Sequence, residues 1–297
     1  MKKNIDIEKI KSQKTIRELL EFGIINIDKP SGPTSFDVSD FVRKILGINK
    51  TSHFGTLDPK VTGVLPVALN RACKLTGFFL GEDKEYVGIM RIHENVELKR
   101  IKETISKNFT GKIIQKPPVR SNVKRQERER EIKSFELIEK EEKNILLTTE
   151  VQGGTYIRKL IDDLGRSLGI GAHMLELRRT KAGIFKEEDK GYPSINLYDF
   201  EKAIESYRDG DDEKLRKIII PGEIVSDLFP IVLIKKEYSE KLLHGSPLYR
   251  EYLMNPKSKE GGSICLFSGD RFIGIYSVKN EGEIFAKPDF VFQPIER

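Results

Sequence analysis

Cysteine is almost missing from this chain: Cys73 and Cys265 stand 192 positions apart among 297 residues, with no CxxC spacing. That scarcity excludes a disulfide framework and a cysteine-based zinc site, and it points to a reducing, intracellular compartment. The four histidines, His53, His93, His173 and His244, fall in no HxxxH or HxE pattern, which leaves little room for a metal centre. There is no Walker-type loop and no GxGxxG. The stretches "GIGAH" and "QGGTY" are glycine-bearing turns without the lysine or the spacing of a phosphate cradle, so no nucleotide cofactor is expected. No apolar run approaches the roughly 20 residues of a membrane span. The leader "MKKNIDIEKIKSQKTIRELL" mixes Lys with Asp and Glu and lacks the apolar region of a secretory signal. A soluble, cytoplasmic protein without a membrane partner is the expectation.

What is present is a chain with 38% hydrophobic residues, long enough for a sizeable core and, by length, for two domains. The net charge of +6 is uneven. Residues 112–133, "KIIQKPPVRSNVKRQEREREIK", carry eight Lys or Arg against three Glu, and residues 156–186 carry seven against three acids. Two basic patches on a nearly balanced background are the footprint of a polyanion-binding surface; a solvated, charge-rich loop or helix is the other reading.

The hydrophobic pattern interleaves strands and helices. Residues 24–27 read as a β-branched strand entering a turn set by Pro30, Gly32 and Pro33. Val38, Phe41, Val42, Ile45 and Leu46 define a helical face, with Thr34 or Ser35 to cap it and Gly47 to end it. Further strands are expected at 64–69, 85–92 and 145–151, and a helix from Thr155 with Ile157, Leu160, Ile161, Leu164 and Leu168 on one face. Residues 186–229 turn polar. The short runs "FPIVLIKK", "GGSICLFSG" and "RFIGIYSV" beyond them suggest a small β-barrel. The expectation is a mixed α/β or α+β architecture in three parts: an extension over residues 1–22 that packs on the C-terminal domain, a domain over 23–222, and a barrel over 228–297.

One carboxylate then stands out. In "HFGTLDPKVTGVLPVALNRACKL", residues 53–75, Asp58 sits between glycine-bearing turns and next to a proline, without a second acid beside it. Taken alone, Asp before Pro is a turn or cap residue.

Its company suggests more. "GTLDPKVTGVLPVAL" resembles the active-site motif of the TruB family of pseudouridine synthases, in which this aspartate is catalytic. "INIDKPSGPTS" is similar to the family's first motif, with Lys29 as its lysine, and "KEYVGIMRI" resembles the strand that brings in a tyrosine, here Tyr86. "GGTYIRKLIDDLGRSLGIGAH" matches the motif with a second tyrosine and an arginine, Tyr156 and Arg158, and "LELRRT" supplies Leu177. The resemblance runs through residues 18–190 with its motifs in order.

It implies a pseudouridine synthase catalytic fold, a mixed and largely antiparallel sheet with flanking helices, followed by a PUA-like β-barrel. It also implies an isomerase: the N1–C1′ bond of a uridine in RNA breaks, the uracil turns, and C5 joins C1′, without cofactor or metal. The catalytic residues would be Asp58, Arg158 and Tyr86, with His53, Tyr156, Leu177 and Lys29 around the nucleotide. Lys29 would support the loop rather than react. Flipping the base out costs a few kcal/mol, and stacking on an aromatic such as Tyr86 returns roughly 1–3 kcal/mol. A cation such as Arg158 within about 4–6 Å favours an ionised carboxylate. Whether Asp58 attacks the base, attacks C1′ or takes a ribose proton stays open at this level. Arg120, Lys124, Arg125, Arg178 and Arg179 are the candidates for phosphate contacts.

The leader "TIRELLEFGIINIDKPSGPTS", the compact "PPVRSNVKRQERERE" and "ELRRTKAGIF" resemble the archaeal and eukaryal dyskerin-type branch. This implies tRNA as substrate, with uridine-55 of the T-loop as the site. It also implies a place in H/ACA ribonucleoproteins, with guide RNA, rRNA and small proteins of the Nop ten, Gar one and L7Ae types as partners. Two departures are visible: Phe54 where relatives carry a smaller residue, and the bulky "YREYLMNPKSKEGG" where relatives carry a small RNA-contacting segment. From another class, the competing reading is a non-catalytic RNA-binding or RNA-chaperone protein on the same scaffold.

Overall fold

The computed structural model of the chain describes residues 5–117, 124, 126–189, 191–257 and 260–293. It divides into two compact units: Ile25–Ala68 with Thr76–Ile218, and Met1–Ile24 with Leu69–Leu75 and Ile219–Arg297. Among the described residues no helix is long and apolar enough to cross a membrane.

The larger unit is organised by a sheet whose strands are β1 (Gly23–Lys29), β2 (Thr51–His53), β3 (Thr62–Leu69), β4 (Lys84–Ile92), β5 (Gly111–Gln115), β6 (Arg128–Glu141), β7 (Asn144–Val151), β8 (Ala172–Ala182), β9 (Phe185–Lys186) and β10 (Ile195–Asn196). They lie in the order β10-β1-β3-β8-β4-β7-β6-β5, with β2 on β3 and β9 on β8. The pairs β1–β10 and β3–β8 are parallel; β4–β7, β4–β8, β5–β6, β6–β7 and β8–β9 are antiparallel. With its helices this is the mixed, largely antiparallel α+β arrangement that the sequence led us to expect.

Local chemistry sets the helices. Before helix Ser35–Leu46, the Thr34 hydroxyl accepts from the Asp37 N–H at 3.0 Å and the Asp37 carboxylate accepts from the Thr34 N–H at 2.8 Å, a reciprocal cap that satisfies two orphan donors. Gly47 closes the helix at φ 65°, a left-handed conformation that a residue without Cβ adopts freely. Helix Ile157–Leu168 buries Ile157, Leu160, Ile161, Leu164 and Leu168. Each such side chain contributes about 1.5–3 kcal/mol on full burial. At Gly165 this helix meets the start of β8 so closely that a Cβ would fall 2.1 Å from the Ala172 nitrogen.

Two segments differ from the sequence reading. The polar stretch after residue 186 contains helix Leu197–Arg208, capped by Asn196 and anchored by only Phe200, Ala203 and Ile204. The basic stretch is neither loop nor helix at its ends: Gly111–Gln115 and the start of β6 pair as antiparallel strands, Gln115 opposite Arg128.

In the smaller unit, strands Ile231–Leu233, Ser263–Ser268, Arg271–Glu281, Ile284–Val291 and Leu248–Tyr249 lie in that order, the first pair parallel and the others antiparallel. Its core includes Ile264, Leu266, Ile273, Tyr276 and Phe285. The Tyr276 hydroxyl points at the carbonyls of Leu242, at 3.0 Å, and Ser246, at 3.3 Å. The leader belongs to this unit: Lys9 pairs with Asp270 at 2.6 Å, and the Phe22 ring stacks on Phe292 with centroids 4.2 Å apart. The bulky segment after Leu248 is partly core, since Tyr252 stacks on Tyr238 at 3.9 Å and Leu253 is buried.

Candidate active site

Asp58 opens a β-turn. Its carbonyl accepts from the Val61 N–H at 2.9 Å, with Pro59 in the position where a fixed φ favours such a turn. The turn is made by the backbone, and the carboxylate takes no part in it. Two buried side chains hold this loop. The Ser35 hydroxyl, in the first turn of helix Ser35–Leu46, accepts from the Leu57 N–H at 2.7 Å and donates to the Leu57 carbonyl at 3.0 Å. Lys29, fully buried at the end of β1, donates from Nζ to the carbonyls of Pro30 at 2.7 Å, Pro59 at 3.0 Å and Val61 at 3.0 Å. Burial lowers the pKa of this ammonium, and the nearby Asp58 charge opposes that shift.

Arg158 reaches the same carboxylate. It is the second residue of helix Ile157–Leu168, and its Nη2 lies 2.7 Å from Asp58 Oδ2. The two side chains are 60% and 47% exposed, so the pair faces solvent and its approach side is open. Tyr156 is the cap residue of that helix. The turn feeding it is tight: a Cβ on Gly153 would sit 2.6 Å from the Leu80 carbonyl, and Gly154 adopts φ 84°.

Tyr86 and Leu177 lie on the neighbouring strands β4 and β8. Side chains alternate across a strand, so Lys84, Tyr86 and Gly88 share one face of β4, and Leu177 and Arg179 share one face of β8. In register, Tyr86 is opposite Arg179 and Gly88 is opposite Leu177, where a glycine Cβ would come within 3.0 Å of Leu177 Cδ1. Arg179 is only 1% exposed. Its Nε donates to the Val64 carbonyl at 2.8 Å and its Nη2 to the Gly55 carbonyl at 3.1 Å, with Tyr86 opposite it in register. This guanidinium therefore ties β8 to the loop that carries Asp58, three residues after Gly55. Gly63 permits the approach, since a Cβ there would lie 2.2 Å from the Arg179 carbonyl oxygen. Desolvation lowers the pKa of Arg179 as well.

His53 lies on β2, with Nδ1 buried and without a hydrogen-bond partner among the described residues. Burial and the Arg179 charge both lower its pKa from 6.5, which keeps the ring neutral at neutral pH. Phe54 beside it is buried, stacked on Phe79 at 4.5 Å and close to Phe185 at 5.9 Å, so the larger residue at this position fills an aromatic cluster.

Lys84 is buried with its ammonium on the carbonyls of Phe79, Leu80 and Glu82. Burial, and then Arg179, bring its pKa down to about 8. Between about 8 and 10.5 the unfolded chain keeps a proton that the folded chain has released, so this residue makes stability rise with pH through that window. Urea midpoints at about pH 7.5 and about pH 10 are expected to change more favourably in the native chain than in Lys84→Met; equal changes would contradict the assignment.

The phosphate candidates separate. Arg179 is corrected outright: it is buried and bonded inward, and cannot meet a phosphate. Arg178, its neighbour on β8, points to the opposite face, where Asp28 at 2.9 Å and Glu187 take up its guanidinium. Strand alternation makes a joint role for these two arginines on one surface impossible. Lys124 is exposed. Arg120 and Arg125 lie outside the described residues. Among the described residues no group of three or more His, Cys, Asp or Glu is placed to hold a metal ion. His93 and His173 do meet, Nε2 to Nδ1 at 2.9 Å, as a pair.

The sequence reading missed three contributors: Ser35, Lys84 and Gln115. Lys84 was detectable, because it stands two residues before Tyr86 on an alternating strand. Gln115 was not. It is 3% exposed, and its carboxamide accepts from the Tyr156 N–H at 2.8 Å and donates to the Tyr156 carbonyl at 3.1 Å, partners 41 positions away.

The chain is similar to known proteins in sequence and in fold. Residues 43–157 match the family described as "TruB family pseudouridylate synthase (N terminal domain)", and residues 158–225 match "tRNA pseudouridylate synthase B C-terminal domain". The chain is 44% identical over 239 residues to the probable tRNA pseudouridine synthase B of Methanocaldococcus jannaschii, covering 80% of this chain and 69% of that protein. To the corresponding protein of Methanococcus maripaludis strain S2 it is 42% identical over 275 residues, 92% of this chain and 79% of the relative. Among solved structures it superimposes on a chain from a Cbf5-Nop10-Gar1 complex with TM-score 0.86 and 38% identity, covering 96% of this chain and 89% of that one. A chain from an H/ACA RNP bound to a substrate RNA containing 2′-deoxyuridine gives TM-score 0.84 and 35% identity, with 96% and 89% covered.

Proposed function

Since the chain belongs to the TruB family of pseudouridine synthases, we propose that it converts uridine-55 in the T-loop of tRNA to pseudouridine without a guide, with Asp58 as the residue that initiates cleavage. The enzyme class is an isomerase acting on RNA. The observation that carries the site assignment is the 2.7 Å pair of Asp58 and Arg158, fixed from one side by a turn and from the other by a helix start. An ionised carboxylate held by a cation is the one requirement common to attack on the base, attack on C1′ and removal of a ribose proton. Tyr86 supplies the aromatic surface for the flipped base, Leu177 an apolar wall, and His53 and Tyr156 hold the nucleotide. Through any of these routes the N1–C1′ bond is exchanged for C5–C1′, and the C5 proton leaves to solvent as N1 gains one.

Its similarity to chains in complexes named for Cbf5, Nop10 and Gar1, and for H/ACA RNP with substrate RNA, supports a second setting. In it the same site acts on rRNA uridines chosen by a guide RNA, with small partner proteins of the Nop ten, Gar one and L7Ae types. The smaller unit then serves as a PUA-like RNA-binding domain. A purely RNA-binding role is disfavoured by the intact set of Asp58, Tyr86 and Arg158, which binding alone does not require.

Carbodiimide mapping of a tRNA transcript treated with the chain alone tests the first setting. A stop at uridine-55 is expected. Modification that appears only after guide RNA and small proteins are added would overturn the guide-free reading. For RNA affinity, Lys124→Ala is expected to weaken binding at low salt and to reduce the slope of log K against log salt by about 1. An unchanged slope removes Lys124 from the RNA-contacting surface.

A further inference from the structure

Gln115 is the last residue of β5, and nothing in its neighbourhood in sequence explains why an amide should be buried there. Its partner is the backbone of Tyr156, held on both sides of the residue: Oε1 accepts from the N–H at 2.8 Å and Nε2 donates to the carbonyl at 3.1 Å. Tyr156 is the residue before helix Ile157–Leu168. The Tyr156 carbonyl also accepts the helix's own bond from the Leu160 N–H at 2.9 Å, and the helix has no side-chain cap from Tyr156. A helix start without a capping side chain frays readily, because its first N–H groups lack intrahelical partners. Gln115 supplies the missing constraint from another strand.

The consequence reaches the reacting centre. Arg158 follows Tyr156 by two residues and meets Asp58 from the first helical turn. Both members of the ion pair are substantially exposed, so packing on their side chains does little to fix the geometry; it is set by the two backbones that carry them. One backbone is held by Lys29 and Ser35. We infer that Gln115 holds the other, as the positioning residue that locks the Tyr156 backbone and thereby sets Arg158 against Asp58. It touches neither substrate nor the reacting atoms, and acts through Arg158 and Tyr156.

The inference rests on the proposed activity for one arm of its test and is independent of it for the other. In the first arm, single-turnover rates and RNA affinity are measured for the native chain, Gln115→Leu, Arg158→Lys and the double variant, on tRNA or in the guided particle, whichever supports turnover. Gln115→Leu keeps similar bulk without the hydrogen bonds. It is expected to lower the rate roughly 10 to 100-fold, the scale of a small misplacement of a catalytic group, with RNA affinity within twofold. In the Arg158→Lys background the same change is expected to cost far less, because the residue it positions is already altered. Additive losses, or equal losses of rate and affinity, would overturn the inference, since a general structural role produces those.

In the second arm, amide hydrogen exchange is followed in the native chain, Gln115→Leu and Gln115→Asn, whose shorter side chain cannot span both partners. Faster exchange at Tyr156 and Leu160 with unchanged protection at Leu164 is expected. Unchanged exchange at Tyr156 and Leu160, or loss of protection throughout the unit, would overturn the inference. If no RNA is turned over in either setting, the proposed function fails while this arm still decides the role of Gln115.

Discussion

Asp58→Ala is expected to abolish pseudouridine formation, lowering the rate by on the order of 10⁴-fold or more, the scale on which loss of an essential nucleophile or base acts. The same variant is expected to keep its fold and its RNA. The Asp58 side chain is 47% exposed, and the turn it opens depends on its carbonyl rather than its carboxylate. Exposed ion pairs contribute little to stability, about 0–1 kcal/mol, so the unfolding midpoint should hardly move. Affinity for RNA rests on contacts to many phosphates and should stay within a few fold. Asp58→Asn, which preserves shape and removes charge, should be as inactive. If affinity fell in step with activity, the carboxylate would be organising the loop rather than taking part in the reaction.

Lys29→Met should show the opposite pattern, with stability as the first casualty. The lysine stem is apolar and methionine replaces it with little change of volume, but three carbonyls lose their donor. Each unsatisfied buried acceptor costs about 1–3 kcal/mol, offset in part because an ammonium no longer has to be desolvated, so a net loss of about 3 kcal/mol is expected. Two of those carbonyls, Pro59 and Val61, belong to the Asp58 turn, so activity should fall as well. Urea unfolding with parallel rate measurements checks this, and a variant of unchanged stability would show that the three bonds are replaced by others.

These two residues also show how far a sequence can be read. Asp58, Arg158, Tyr86 and Lys29 lie in motifs of fixed spacing, and the helix Ser35–Leu46 follows from its apolar stripe, a threonine cap and a glycine stop. The helix Leu197–Arg208 escaped notice because only Phe200, Ala203 and Ile204 mark its buried face, within a stretch dominated by charge. β6 was hidden for a similar reason: its start, "RERE", alternates charge and not hydrophobicity, and Ile132 is the first fully buried residue along it. Arg179 was misjudged because a charged residue in a basic patch reads as surface. Parity with Leu177, two residues earlier on the same strand, was the available sign that it faces inward. Gln115 had no local sign at all, since what matters about it is the backbone of a residue 41 positions away. The discontinuity of the smaller unit, which takes in Leu69–Leu75, is likewise a tertiary property that composition does not carry.

The most direct test of Asp58-dependent isomerisation is tritium release from a tRNA transcript labelled at uridine C5, comparing the native chain with Asp58→Ala at RNA concentrations that saturate both. Joining C5 to C1′ expels the C5 hydrogen, so the account predicts release by the native chain and none by the variant. Release by both alike would contradict it.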